Sequence, residues 1–65
     1  MEPYQQRVVE ERTELVAKLN RLQDYLAGGA NLSDRERELL TRQAEAMDVY
    51  VGILSLRINE FEGEG

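Results

Sequence analysis

Two long stretches of helical periodicity, parted by Gly28-Gly29 and restarted at Ser33, constrain this chain more than any other feature. Residues 4–27 contain neither Gly nor Pro, and Val8, Leu15, Leu19, Leu22 and Leu26 recur at steps of seven, four, three and four. That rhythm marks one face of a helix. Pro3 suits the first turn, where its missing N–H costs nothing, and Glu2 complements the positive end of the helix dipole. Helix one is therefore expected over about 4–27. Gly28 and Gly29 relieve the left-handed conformation common at helix C-termini, and residues 30–32 make a short connection. Ser33-Asp34-Arg35-Glu36 then reads as a capping box, with Ser33 as N-cap and Glu36 reaching back to its backbone N–H. Helix two is expected over about 34–61, leaving 28–33 as the turn.

In the second helix, Leu40, Met47, Tyr50, Leu54, Ile58 and Phe61 form one apolar stripe. Leu39, Ala46, Val49, Ile53 and Leu56 widen it beyond what a single partner helix covers. So short a connection makes the helices antiparallel, an all-α hairpin with arms about 36 Å long. The surplus apolar width predicts that other chains cover it, so that the hairpin builds a helical homo-oligomer. Gly52, inside helix two, reads first as a point of close helix approach and second as room for a ligand. Gly63, Glu64 and Gly65 are expected to fray.

Size and composition lead to the same need for partners. A chain of 65 residues forms at most one domain and buries too little apolar surface to be comfortably stable alone. With neither Cys nor His, it has no disulfide and no ordinary zinc site to help it. Self-association is the device that remains. Thirteen acidic and eight basic residues give a net charge of −5, which opposes binding to a DNA or RNA polymer. No apolar run approaches the roughly 20 residues of a membrane span, and the N-terminus lacks the order of a signal peptide, so a cytosolic protein is expected. No catalytic triad, Cys-His pair or phosphate loop can be drawn, and no cofactor is implied. Carboxylate pairs such as Glu10 and Glu14 read as solvated helix faces. Binding is the expected class, not catalysis.

Tyr4, Arg7, Glu11, Glu14 and Lys18 share one flank of helix one, because steps of three and four residues keep nearly the same direction. Tyr4 and Lys18 face the same way but stand about 21 Å apart along the axis. One small ligand lying along a single helix does not span that. Two antiparallel copies crossing near Glu11 would set Tyr4 of one chain opposite Lys18 of the other, a self-complementary arrangement offering a ring for a base and an ammonium for a phosphate. The plainer reading leaves Tyr4 covering a helix end and Lys18 solvated. Arg12 interrupts the seam between Val8 and Leu15, either to set register in the assembly or to pair with a carboxylate such as Glu10 of another chain. Arg42 and Arg57 lie on the flank of helix two, and Arg57 suits either the helix dipole or a phosphate.

Tyr4-Gln5-Gln6-Arg7-Val8-Val9, Glu14-Leu15 with Lys18-Leu19, Leu39-Leu40 with Arg42-Gln43-Ala44-Glu45-Ala46-Met47, and Tyr50, Ile53-Leu54 and Arg57-Ile58 follow in an order and spacing that resemble the phage anti-CBASS sponge family. The same hairpin occurs as a module in anti-Thoeris sponges. The resemblance spans roughly residues 3–61 and implies a non-enzymatic protein that sequesters cyclic oligonucleotides in the cytoplasm of the infected bacterium. It implies homo-oligomers, with hexamers favoured, that take cyclic dinucleotides between protomers and cyclic trinucleotides in separate pockets. Cyclic ADP-ribose isomers remain a third ligand class. By residue, it implies that Tyr4 and Lys18 contact a cyclic dinucleotide and that Arg57 belongs to a trinucleotide site; Arg7, on the same flank as Tyr4 and Lys18, is a further candidate for phosphate on its position alone. The competing reading is a structural helical oligomer or protein-interaction module without a nucleotide ligand.

Overall fold

A computed structural model describes residues 2–29 and 31–63. It contains two helices, α1 (Pro3–Ala27) and α2 (Asp34–Gly63), packed against each other, and no strand among the described residues. Their cross-helix partners run in opposite chain directions: Tyr4 meets Phe61, Arg12 meets Ser55, and Leu26 meets Arg37. The helices are therefore antiparallel. α2 continues to Gly63, two residues past the expected end; Glu64 and Gly65 lie outside the described residues, as does Ala30 of the turn.

Local chemistry explains each boundary. Pro3 opens α1, and Gln5 Oε1 accepts the Glu2 N–H at 2.9 Å. At the other end the Gly28 N–H donates to the Asp24 carbonyl, but only Gly29 has positive φ, at 72°. The left-handed step thus falls on the second glycine alone. α2 begins as the capping residues require, with the Glu36 N–H donating to Ser33 Oγ at 3.1 Å. The reciprocal half of the expected box is different: Glu36 Oε1 accepts the Ser33 hydroxyl, not its backbone N–H. α1 has no basic residue in its last turn, and Arg37 of α2 supplies one by donating to the Leu26 carbonyl at 3.2 Å.

The core is a single seam. Val8 and Leu19 from α1 and Ala44 and Leu54 from α2 are buried, with Leu54 wholly inaccessible. Leu15, Leu22, Leu26, Leu40, Met47 and Ile58 are half-buried around them. Two stripes that sequence periodicity merges on α2 are separated here. Leu39, Ala46, Val49, Ile53 and Leu56 face away from α1, and Leu56 and Val49 keep 66% and 64% of their surface. Tyr50, read as a core position, is instead exposed at the seam edge, while Ala44 takes the buried place.

Shape follows from having one seam. The chain is a rod of 48 × 14 × 14 Å with a radius of gyration of 14.9 Å, against about 11 Å for a compact domain of this length. Its accessible surface is 4945 Å², against about 4,200 Å² for a compact monomer of this mass. Gly52 is no contact point within the hairpin, because a Cβ placed there meets nothing within 4 Å. Close approach between α1 and α2 therefore does not explain it.

Two substitutions measure these features by urea unfolding at fixed protein concentration. Leu54→Ala should cost about 2–4 kcal/mol, since the side chain is fully enclosed. Gly52→Ala should stabilise the helix by up to about 1 kcal/mol, and a loss of stability there would show that a neighbouring chain uses the space.

Candidate functional site

Where the two helices meet solvent, the hairpin has two edges of different chemistry. On one edge α1 contributes Tyr4, Arg7, Glu11 and Lys18, and α2 contributes Tyr50, Arg57 and Phe61. Steps of three, four and seven residues keep these positions on the same side of their helices, within about 60° of one another. Contacts across the seam fix the register at two levels. Tyr4 and Phe61 pack edge to face with centroids 5.7 Å apart, and one helical segment further in, the Tyr50 hydroxyl donates to Glu11 Oε1.

Tyr4 therefore does cover a helix end, as the plainer reading had it, but about half of its surface stays open. Arg7, Lys18 and Arg57 are all exposed, and none has an ion pair or hydrogen bond among the described residues. Arg21 of α1 is likewise exposed and without such a partner among the described residues. Arg35 and Arg42 both reach Glu38, at 3.3 and 2.9 Å, so Arg42, although on the flank of α2, is already paired. Arg37 is spent on the end of α1. Arg57 is near enough to Tyr50 for its charge to act on that phenol. Lys18 stays apart from Tyr4, and no contact within the chain joins them.

The Glu11 carboxylate sits between the cations of this edge. Its hydrogen bond is the main cause that pushes the Tyr50 hydroxyl above the usual tyrosine range, aided by desolvation and by the carboxylate's charge, with Arg57 opposing. The acceptor holds the phenolic proton in place. The sequence gives Glu11 and Tyr50 helical positions but not this pairing, which requires knowing which side of α2 turns towards α1.

The opposite edge of the seam carries Arg12, which lies about 100° round the helix from Glu11. Its Nε donates to Ser55 Oγ at 2.7 Å within the same chain. Within the hairpin this bond ties α1 to α2. Arg12, Thr13, Ser55 and Asn59, with Val9 and Ile58, line a groove of about 290 Å³. A second groove, of about 510 Å³, lies towards the turn and is rimmed by Glu45 and Asp48 over Leu26 and Ala44. Neither is lined by Tyr4, Arg7, Lys18 or Arg57. Among the described residues no helix is long and apolar enough to cross a membrane.

Comparison with known proteins gives a family. The model of the Sequestin family matches residues 2–60, nearly the whole chain, and the chain belongs to that family. The family's name points to a sequestering role, in agreement with the sponge resemblance. No curated protein and no solved structure matches the chain.

The Glu11 bond to Tyr50 has a pH signature. Because the folded pKa is raised, the stability this bond supplies is complete below the ordinary tyrosine pKa and is lost as pH rises through the folded value. Tyrosinate absorbance in a Tyr4→Phe, Tyr25→Phe background should show Tyr50 ionising late, and Glu11→Gln should bring its ionisation to lower pH.

Proposed function

We propose that this member of the Sequestin family is a phage-encoded sponge for cyclic oligonucleotide second messengers, binding cyclic dinucleotides, cyclic trinucleotides or both without cleaving them. In the infected cell's cytoplasm it withholds the signal of CBASS defence from its effector. The observation that carries this reading is the edge holding a half-open Tyr4 ring together with Arg7, Lys18 and Arg57, three cations without a partner among the described residues, in a chain of net charge −5. A base stacks on Tyr4, and phosphates are met by Lys18 and Arg7. Arg57 serves the same edge from α2.

The site is completed by a second copy. Tyr4 and Lys18 are too far apart to share a small ligand within one chain, and neither groove of the hairpin contains them. An antiparallel crossing of two α1 helices near Glu11 brings the Tyr4 of one to the Lys18 of the other. The outward stripe of Leu39, Ala46, Val49, Ile53 and Leu56 supports assembly: its steps of seven, three, four and three follow a heptad seam, and it borders the Tyr50 and Arg57 side of α2. Covering that stripe places a neighbour beside the ligand edge. A hexamer is the favoured assembly.

To outcompete an effector, a sponge needs a Kd near 1 nM, or about −12 kcal/mol. Calorimetry with cyclic dinucleotides, cyclic trinucleotides and cyclic ADP-ribose isomers should find such a ligand, recoverable intact after heat denaturation. Tyr4→Ala should weaken binding roughly tenfold or more, the loss of one base stack, while light scattering reports an unchanged assembly. Ile53→Asp should instead break the assembly and abolish binding with it. A stable assembly that binds none of these ligands and is indifferent to Tyr4→Ala and Lys18→Ala would make the chain a protein-interaction module.

A further inference from the structure

The groove on the other edge of the seam has no part in the site just described. Val9, Arg12 and Thr13 lie on the far side of the Val8–Leu19 stripe from Tyr4, Glu11 and Lys18, and Ser55, Ile58 and Asn59 lie on the far side of Leu54 from the outward apolar stripe. A copy of the chain that covers Ile53 and Leu56 does not close this groove by doing so.

Its lining is selective. Among the described residues no acidic one borders it, although acidic residues outnumber basic ones in the chain and the other groove is rimmed by two of them. Arg12 is half-buried, and its Nε–H is tied to Ser55 Oγ at 2.7 Å, which fixes the plane of the guanidinium. Among the described residues it has no carboxylate partner, so the Nη donors remain unused. A guanidinium held in this way presents a forked donor pair matched to two oxygens of a tetrahedral anion.

The neighbouring polar groups add to the same preference. Thr13 satisfies its own hydroxyl by donating to the Val9 carbonyl at 3.1 Å. Ser55 accepts from Arg12 but donates to no protein group among the described residues, and the Asn59 amide likewise has no partner there. One hydroxyl donor and one amide donor therefore accompany an unpaired guanidinium over the apolar floor of Val9 and Ile58. We propose that this groove is a phosphate-binding subsite, in which Arg12 grips two oxygens of a phosphate or phosphodiester while Ser55 and Asn59 donate to the remaining ones. Its volume suits one phosphate with part of a nucleoside and not a whole cyclic dinucleotide.

Nuclear magnetic resonance titration of the full chain tests this. Three probes separate the sources of the phosphate: inorganic phosphate, a linear dinucleoside monophosphate, and the nucleoside alone. Either phosphate-bearing probe should move the amide signals of Val9, Thr13 and Asn59 and the Arg12 Nε signal, and the nucleoside should not. Stronger binding of the dinucleoside monophosphate assigns the site to a phosphodiester, and stronger binding of inorganic phosphate assigns it to the free anion. Arg12→Gln should weaken either by about tenfold or more, the loss of a charge-assisted contact, and Ser55→Ala should weaken it less. Because Arg12→Gln and Ser55→Ala each remove the Arg12–Ser55 cross-helix hydrogen bond, their helicity is checked by circular dichroism, and Asn59→Ala, which removes no side-chain hydrogen bond among the described residues, carries the test if helicity falls. Tyr4→Ala should leave this binding unchanged, which separates it from the sponge site. Shifts confined to Tyr4, Arg7 and Lys18, or an affinity equal in wild type and the groove variants, would overturn the assignment.

Discussion

A pair of packed helices has only one seam in which to hide apolar surface, and every other property of this chain follows from that limit. Val8, Leu19, Ala44 and Leu54 fill the seam, and no other described residue is buried. The large side chains that do not fit, Leu39, Val49, Ile53 and Leu56 among them, remain in water on the back of α2. Burying an apolar side chain of this size is worth about 1.5–3 kcal/mol. The uncovered apolar surface is thus carried by the same helix that completes the core.

Helix ends and the antiparallel arrangement are legible in the sequence because they depend on local chemistry. Gly28-Gly29, Ser33 and Pro3 act on backbone within a few residues of themselves, and the structure places the ends of α1 and the start of α2 accordingly. What was not legible depends on which side of a wide stripe turns inward. Seven-residue steps place Tyr50 with Leu54 and Met47 equally well in a core or at its edge, and only the packing decides that its hydroxyl reaches Glu11. Arg12 shows the same limit. Its position in an apolar seam is visible, but its satisfaction by Ser55, 43 residues further along, needs the register of the two helices.

Charge in this protein is organised by edge and not by total. Glu38 neutralises Arg35 and Arg42, and Arg37 serves a helix end, whereas Arg7, Lys18 and Arg57 are left to solvent on one edge, as is Arg21 on α1, and Arg12 is tied to a hydroxyl on the other edge. A net charge of −5 disfavours a long polyanion, since its phosphates would run past the acidic faces. It is a much weaker objection to a compact anion, which meets only the few cations around it. The proposed small phosphorylated ligands are thereby compatible with an acidic chain.

Both ends of the rod are fastened, by Tyr4 against Phe61 at the open end and by Arg37 on the Leu26 carbonyl at the turn. With its ends held, the hairpin has little conformational freedom to lose when something binds along its edges. The edges themselves take no part in the buried seam, and substitutions at such exposed positions seldom move stability by more than about 0.5 kcal/mol. The proposed ligand positions, such as Arg7, Lys18 or Asn59, can therefore change one at a time while the fold stands still: a scaffold open to rapid divergence.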